Sequence, residues 1–152
     1  MTELRRAAAT DAGALFAIVQ RAFAGNAASG PGPRWKRSLA FLEDCLAREE
    51  GWCILEDGAL AGGFLVFRRP EGLWLEGAFV DGARQGAGLG QRALRLLLER
   101  EPDTVWRLKT PAADRRDCHF YEKLGFVRTG EEAGHNGMIF ALYEKRPAER
   151  QG

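Results

Sequence analysis

The sequence predicts a mixed α/β (α+β) fold in which a mostly antiparallel sheet is flanked by helices. Three short β-prone runs, 52–55, 60–67 and 73–80, follow one another with only tight turns between them, as in an antiparallel meander. After Val80 the pattern changes to helices that alternate with short strands. We therefore expect one domain over residues 1–152, with about seven strands and about four helices.

Two helices are predicted between the first strand and the meander. Apolar residues recur at helical spacing from Ala14 to Phe23, and again from Leu39 to Leu46. Residues 24–33, between the two helices, are too rich in Gly and Pro to be helical, so we expect a mobile loop there. This loop is either a plain connector or a gate for a substrate.

The second half of the chain should add a parallel strand pair to the sheet. A helix that begins near Leu89 and stops at Pro102 joins the strand ending at Val80 to a strand over 105–108, so these two strands should run parallel. The remaining predicted elements are a helix over 114–124, closed by Gly125, and two strands at 126–129 and 138–143.

The composition is that of a folded globular protein and limits the classes of ligand. Hydrophobic residues make up 45% of the chain and charged residues 28%. The 22 basic and 21 acidic residues leave a net charge of +1, so no global attraction to nucleic acid or to an anionic membrane is expected. An anionic ligand would have to be bound locally.

The cysteines and the absence of long apolar runs favour the cytoplasm. Cys45, Cys53 and Cys118 are odd in number and lack C-x-x-C spacing, so neither a disulfide framework nor a zinc site is indicated. No stretch approaches the roughly 18 apolar residues of a membrane span, and no apolar leader follows Met1. We expect a cytoplasmic protein with no metal, membrane or nucleic-acid partner.

The sharpest local feature is a glycine-rich turn, Gln85-Gly86-Ala87-Gly88-Leu89-Gly90, between a strand and a helix. Glycines allow close approach of the backbone, and free N–H groups at a helix start attract anions such as phosphate. The turn lacks the Lys-Ser/Thr ending of a P-loop, and it follows a meander where a Rossmann turn would follow the first strand. Taken alone, it is either a phosphate site or a tight structural turn.

Together with two further segments, this turn resembles the GNAT superfamily of acyl-CoA N-acyltransferases. The turn is similar to the family's Gln/Arg-x-x-Gly-x-Gly/Ala motif, which binds the CoA pyrophosphate. The strand Leu75-Glu76-Gly77-Ala78-Phe79-Val80 resembles the family strand before that turn, and Phe120-Tyr121-Glu122-Lys123-Leu124-Gly125-Phe126 closely matches the family's second motif. The resemblance covers nearly the whole chain and implies a GNAT-like sheet.

The resemblance implies roles for Tyr121 and Glu76. The Tyr121 hydroxyl would meet the sulfur of the departing CoA, Glu76 would take a proton from the amine, and a backbone N–H near Phe79 and Val80 would bind the thioester oxygen. Arg84 could reach the phosphates, although it could equally be a solubilising surface arginine. The residues expected at the acetyl-CoA site are Phe79, Val80, Arg84, Gln85, Gly86, Ala87, Gly88, Leu89, Gly90 and Tyr121.

Each catalytic assignment has a structural alternative. Tyr121 could be an aromatic packed in the core, and Glu76 could be an exposed or ion-paired glutamate. Strand alternation predicts that Glu76 points opposite Leu75, Gly77 and Phe79, on the face of Ala78 and Val80.

Three further features of the sequence allow more than one interpretation. Asp114 stands where the family commonly has Asn, and it could instead be a helix N-cap. Cys118 is more consistent with a packed small residue than with a nucleophile. The polar segment 131–137 is expected to be a loop, either a solvated turn or a wall of the acceptor site whose acids suit a cationic acceptor.

The sequence thus predicts an N-acetyltransferase that moves an acetyl group from acetyl-CoA to a primary amine of a small molecule or peptide by direct attack. The alternatives are a non-catalytic acyl-CoA-binding sensor and, using the same turn, a protein that binds NAD or ATP. The acceptor is not encoded in any motif. A homodimer is common among related proteins but is not indicated by these residues.

Overall fold

The chain forms a seven-stranded sheet with the strand order β1-β2-β3-β4-β5-β7-β6. The computed structural model describes residues 1–23, 32–134 and 137–147. The strands are β1 (Thr2–Arg6), β2 (Glu50–Glu56), β3 (Ala59–Arg69), β4 (Gly72–Val80), β5 (Trp106–Pro111), β6 (Val127–Ala133) and β7 (Ile139–Lys145). The helices are α1 (Ala12–Ala22), α2 (Arg34–Arg37), α3 (Leu39–Arg48), α4 (Leu89–Arg100) and α5 (Arg115–Lys123).

The predicted mixed topology is confirmed. Strands β1 to β4 form an antiparallel meander, and β5, β7 and β6 form a second antiparallel group. The two groups are joined by the predicted parallel pairing of β4 with β5. Helix α2 was not predicted because four residues are too short to show helical periodicity, and residues 24–31 of the expected loop lie outside the described residues.

The parallel pairing of β4 with β5 is very short. It consists of the pairs Leu73 with Trp106 and Trp74 with Arg107, although β4 continues to Val80 and β5 to Pro111. Beyond these pairs the two strands separate. The sheet therefore contains an internal wedge, which opens toward the carboxyl ends of β4 and β5.

Two hydrophobic cores lie on opposite faces of the sheet. The α4 core contains Leu89, Ala93, Leu94 and Leu97 of α4, together with residues of α5. The α1 core contains apolar residues of α1, α2 and α3. Burial of these apolar stripes is the main force that holds the helices against the sheet.

A β-bulge in β4 changes which residues face each core. The register with β3 passes from Leu65–Gly77 to Val66–Leu75, so Glu76 is the extra residue. Before the bulge, Leu75 lies in the α4 core; after it, Phe79 lies in the α1 core. Strict alternation would have put these two residues on one face.

Candidate active site

The glycine-rich turn adopts a backbone conformation that requires glycine at two positions. Gly86 has φ 88° and Gly88 has φ 77°, in the left-handed region that side chains with a Cβ rarely adopt. Gly88 is the N-cap of α4, and the helix begins at Leu89 without a side-chain cap. The turn therefore ends in an uncapped helix start.

The N–H groups of this turn have no acceptor among the described residues. The first main-chain hydrogen bond of the helix runs from Arg92 N to Gly88 O at 3.1 Å, and the N–H groups from Gly86 to Gln91 make none. They lie at the positive end of the helix dipole, which adds to their attraction for an anion. Such a row of exposed donors can hold a diphosphate.

Two side chains fix the turn in place. The Gln85 side-chain amide donates to Val80 O at 3.1 Å. The Arg92 guanidinium donates to Ala87 O at 2.9 Å and also reaches Thr2 and Glu56 at 3.2 Å each. The turn is thus tied to the end of β4 and to the far edge of the sheet.

The end of β4 offers a main-chain donor to the wedge. Asp81 N donates to Ala61 O of β3 at 2.7 Å. Since N–H and C=O groups alternate in direction along a strand, the N–H and C=O of Val80 point away from β3, toward the wedge. The N–H of Phe79 points to β3 instead, so Val80 is the residue of this pair whose donor is suitably directed.

Tyr121 lies partly buried on α5 and packs against the α4 core. Its ring meets Phe120 and Phe126 edge-on, with centroids 5.2 and 5.8 Å apart. Burial raises the pKa of the Tyr121 hydroxyl strongly, and the nearby carboxylates of Asp117 and Asp114 raise it further. Within the described part of the chain this hydroxyl has no hydrogen-bond partner, so it is free to meet a ligand.

The aromatic ring of Phe120 links Tyr121 to the glycine turn. A Cβ built on Gly90 would lie 3.6 Å from the Phe120 ring and 3.7 Å from Val80 Cγ2. The first turn of α4, the end of β4 and the Tyr121 ring therefore surround one small region at the open end of the wedge. The structure brings together most of the residues that the sequence proposed for the cosubstrate.

The predicted orientation of Glu76 is right with respect to Leu75 and wrong with respect to the residues after the bulge, because Gly77 and Phe79 lie on the α1 side of the sheet. Its side chain does point opposite Leu75, but because of the bulge it does not share the face of Ala78 and Val80, which pack on the α4 core. The charged groups that affect the Glu76 carboxyl include Glu49 and Arg69, and Glu76 itself raises the pKa of Cys45 on α3. Glu76 therefore lies on the α3 side of the sheet.

The environment of Glu76 favours its neutral form. Burial raises the pKa of the Glu76 carboxyl above its usual range, and this effect outweighs the attraction of Lys109 and Arg69. A carboxylate with a raised pKa is a better match for proton transfer near neutral pH.

The other predicted site residues take different positions. The Leu89 side chain is only 3% exposed and packs in the α4 core, so this residue offers the turn only its N–H. Arg84 ends the short 3-10 turn Gly82–Arg84 and is partly buried beside Asp81. Asp114 is the N-cap of α5, accepting from Asp117 N at 3.1 Å, and Cys118 is buried. These observations favour a capping role for Asp114 and a packing role for Cys118.

The loop predicted over 131–137 begins later than expected, because its first three residues belong to strand β6. Glu131 and Glu132 belong to β6, which extends to Ala133, and they pair with Arg128 at 2.6 Å and Lys109 at 3.3 Å. Their charges are therefore compensated. Residues 135 and 136 lie outside the described residues.

The sequence matches the model of the Acetyltransferase (GNAT) family over residues 14–126. This segment includes the glycine turn, the wedge strands and Tyr121. The chain belongs to the GNAT acetyltransferase family. No curated protein matches the sequence.

Solved structures share the GNAT fold over the whole chain. The ribosomal-protein-S18-alanine N-acetyltransferase from Escherichia coli is 19% identical, with a TM-score of 0.78 over 100% of this chain and 99% of that one. A GNAT acetyltransferase from Streptococcus agalactiae is 19% identical, with a TM-score of 0.82 over 97% and 96%. The PaiA N-acetyltransferase from Thermoplasma acidophilum, solved with coenzyme A, is 15% identical, with a TM-score of 0.74 over 96% and 99%.

The sequence alone assigned no role to Arg92, which lies in the first turn of α4. A cation in the first turn of a helix faces the positive end of the dipole, so its occurrence there is a signal of another role. In this GNAT chain that role is to hold the Ala87 carbonyl.

Two classes of site find no support in the described residues of this GNAT chain. No helix within 1–23, 32–134 or 137–147 is long and apolar enough to cross a membrane. Over the same ranges, no group of three His, Cys, Asp or Glu side chains is placed to hold a metal ion.

Proposed function

We propose that this protein is an N-acetyltransferase that moves the acetyl group of acetyl-CoA to a primary amine by direct attack. One observation carries the proposal. The turn whose N–H groups from Gly86 to Gln91 have no acceptor among the described residues lies, at Gly90, against the Phe120 ring, and that ring packs edge-on against the Tyr121 ring. A diphosphate held by these donors places the other end of its ligand in the wedge, beside Tyr121 and Val80.

The open edge of β4 suits the arm that joins the phosphates to the thioester. Past Trp74 this edge has no partner strand among the residues that the structure describes, so its main-chain groups are available to an extended amide-containing ligand. The Val80 N–H is directed into the same space and can donate to the thioester oxygen as negative charge develops on it.

The proposed chemistry requires one proton to leave the amine and one group to stabilise the departing sulfur. A carbon–nitrogen bond forms, the carbon–sulfur bond breaks, and the amine proton passes to Glu76, directly or through water. The raised pKa keeps Tyr121 protonated throughout the physiological range, so its O–H can donate to the thiolate as it leaves.

The three cysteines fit a cytoplasmic enzyme that acts without a covalent intermediate. All three are free thiols and buried, which suits a reducing compartment. Burial raises the pKa of the Cys45 and Cys53 thiols, which makes them poor nucleophiles. Cys118 is directed toward Pro111 O, at 3.9 Å.

The function is tested by thiol release from acetyl-CoA against a broad panel of amines. Acetyl-CoA should raise the melting temperature, and NAD and ATP should not. Binding of acetyl-CoA without thiol release for any amine would support a sensor in place of an enzyme. Stabilisation by NAD or ATP alone would contradict both.

A further inference from the structure

A surface pocket lies at the end of α4 that is remote from the glycine turn. It has a volume of about 340 Å³ and is formed where α4 and α5 end and where β5 begins. Because α4 has 12 residues, its two ends are about 18 Å apart. None of the described residues that line this pocket belongs to the candidate active site, so the two are separate features of the surface.

The walls of the pocket are largely apolar. The apolar lining residues border the α4 core, and they are Leu98, Pro102, Trp106, Leu124 and Pro147. The volume is near the lower end of the range for small-molecule sites. The pocket therefore has room for the apolar body of a small ligand.

Trp106 carries a buried donor without an acceptor. Its side chain is 2% exposed, and its Nε1 atom has no hydrogen-bond partner among the described residues. A buried N–H that makes no hydrogen bond costs roughly 1–3 kcal/mol, so folded proteins rarely leave one unsatisfied. Since Trp106 lines the pocket, a ligand bound there can supply the acceptor.

Lys145 brings an ammonium group to the wall that Trp106 forms. The two residues are directly opposite each other on β7 and β5, so their side chains lie on the same face of the sheet. The Lys145 stem crosses the end of α5, because a Cβ built on Gly125 would lie 3.2 Å from its Cε and 3.8 Å from its Nζ. Lys145 also lines the pocket.

Two further cations of the pocket lack a carboxylate partner. Arg95 and Lys123 are lining residues, and neither they nor Lys145 forms an ion pair within residues 1–23, 32–134 and 137–147. Lys123 ends α5, where a cation is favoured by the helix dipole. This reason does not apply to Lys145, which lies on a strand, or to Arg95, which lies more than one turn before the end of α4.

The carboxylates of the lining do not balance these cations. Glu101 is already paired with Arg68 at 2.8 Å, and Glu99 is the other acidic lining residue. The remaining lining cation, Arg146, is paired with Glu144. The unpaired charges are thus three cations and Glu99, which favours an anionic ligand but disfavours a multiply charged one.

We propose that this pocket binds a small monocarboxylate with an apolar body. Its carboxylate accepts a hydrogen bond from the Trp106 N–H and pairs with the Lys145 ammonium group. Its apolar body packs against Leu98 and Leu124, while Arg95 adds to the attraction for the negative charge. This inference assigns a second ligand site to the chain and does not depend on the proposed acetyl transfer.

The test uses benzoate as the probe, with neutral benzamide and cationic benzylamine for comparison. The chain has four tryptophans, so ¹H–¹⁵N spectra of the full chain contain four indole N–H signals, of which sequential assignment and Trp106→Phe identify one as that of Trp106. Benzoate should shift this signal and saturate at low-millimolar concentration or below. Benzamide and benzylamine should not shift it. A shift that does not saturate, or one that benzamide produces equally, would overturn the inference.

A charge variant tests the role of Lys145. Lys145→Met retains the apolar stem over Gly125, so it should fold, and its melting temperature verifies this. Benzoate should bind to it roughly 10- to 100-fold more weakly, as for a lost charge-assisted hydrogen bond. The matched control is Arg100→Met, which removes an equal charge from the end of α4 but does not line the pocket. The control should bind benzoate like the wild type, and equal weakening in both variants would contradict a specific site.

Acetyl-CoA distinguishes this pocket from the wedge. Because the glycine turn lies at the other end of α4, saturating acetyl-CoA should leave the benzoate-induced shift of the Trp106 signal unchanged. Loss of the shift would mean that benzoate binds in the wedge, and the inference would be wrong. If acetyl-CoA does not bind but the shift persists and weakens in Lys145→Met, the proposed function fails and the carboxylate site stands.

Discussion

The Gln85 side-chain amide donates a hydrogen bond of 3.1 Å to the main-chain carbonyl oxygen of Val80. The carbonyl of Val80 and its N–H point in the same direction, so this bond fixes the donor side of the strand end relative to the glycine turn. In the proposed enzyme, the phosphate-binding turn and the donor to the thioester oxygen therefore belong to one connected piece of backbone.

The affinity for acetyl-CoA should depend more on the left-handed conformation of the turn than on the absence of side chains there. Gly88→Ala places a Cβ at φ 77° and 3.3 Å from the Arg92 guanidinium, whereas Gly90→Ala makes only ordinary contacts at 3.6 and 3.7 Å. A left-handed non-glycine residue costs about 1–2 kcal/mol. Calorimetry should show about a tenfold weaker affinity of Gly88→Ala for acetyl-CoA. Gly90→Ala should bind like the wild type, and equal losses in both variants would contradict this account.

Removing the Tyr121 hydroxyl should lower turnover but preserve the fold. Tyr121→Phe retains the edge-on contacts with Phe120 and Phe126. Thiol-release assays should show a loss of roughly 10²–10⁴-fold in kcat if the hydroxyl assists the leaving thiolate. Full activity would remove this residue from the mechanism.

The chain provides a matched control, because its only other tyrosine is Tyr143. That hydroxyl is buried and donates to Glu122 Oε2 at 2.6 Å, in the core and away from the turn. Tyr143→Phe should therefore lower the melting temperature and leave kcat nearly unchanged. A large loss of kcat in Tyr143→Phe together with an unchanged kcat in Tyr121→Phe would contradict the assignment of Tyr121 to the active site.

The raised pKa of Glu76 predicts a specific pH dependence of stability. In the folded state the carboxyl binds its proton more tightly than in the unfolded state, so its contribution to stability is present below the usual value of 4.5 and is lost as pH rises through the raised pKa. Glu76→Gln should raise the melting temperature at pH 7 to 8, and this gain should disappear near pH 4. As a base, Glu76 should also make kcat/KM rise with pH, and the variant should lose this limb.

Glu49 offers a control with the opposite sign. Its hydrogen bonds with Arg69 lower the pKa of the Glu49 carboxyl, so its stabilisation is present above 4.5 and is lost as pH falls through the lowered pKa. Glu49→Gln should lower the melting temperature at neutral pH and match the wild type in acid. If the melting temperatures of both variants changed with pH in the same direction relative to the wild type, the pKa of Glu76 would not be raised by burial.

Arg92 should contribute to affinity for acetyl-CoA without touching it. Arg92→Met removes the hydrogen bonds to Ala87, Thr2 and Glu56, each of which contributes about 0.5–1.5 kcal/mol or less at an exposed site. We expect a severalfold weaker affinity for acetyl-CoA and a lower melting temperature. Arg95→Met, one turn further along the exposed face of α4, should change neither, and identical effects of the two variants would refute the role of Arg92.

The parts of the fold that depend on local pattern were predictable. The meander ending at Val80, the helix that starts near Leu89 and their parallel crossover follow from turn residues and hydrophobic period, and the structure confirms them. The left-handed residues of the turn were foreseeable as well, since Gly86 and Gly88 are the residues that tolerate them.

Features that depend on distant pairing were not predictable. The position of the bulge at Glu76 is set by the register of β4 with β3, which the residues of β4 alone do not determine. From the sequence, Gly77 is a residue that weakens a strand, and only the structure shows that its lack of a side chain leaves room for the Trp35 ring. Trp35 lies in a four-residue helix that is too short to show helical periodicity, so its contact with Gly77 has no signal in the sequence.

The bulge also separates two tasks along one strand. Ala78 and Val80 pack on the α4 core, while Gly77 and Phe79 face α2, where Trp35 packs against both. Substitutions at the second pair can therefore reshape the room for an incoming amine without altering the packing next to the thioester. In the course of evolution, substitutions at Gly77 and Phe79 could change which acceptor fits, while the side chains that pack beside the proposed cosubstrate stay the same.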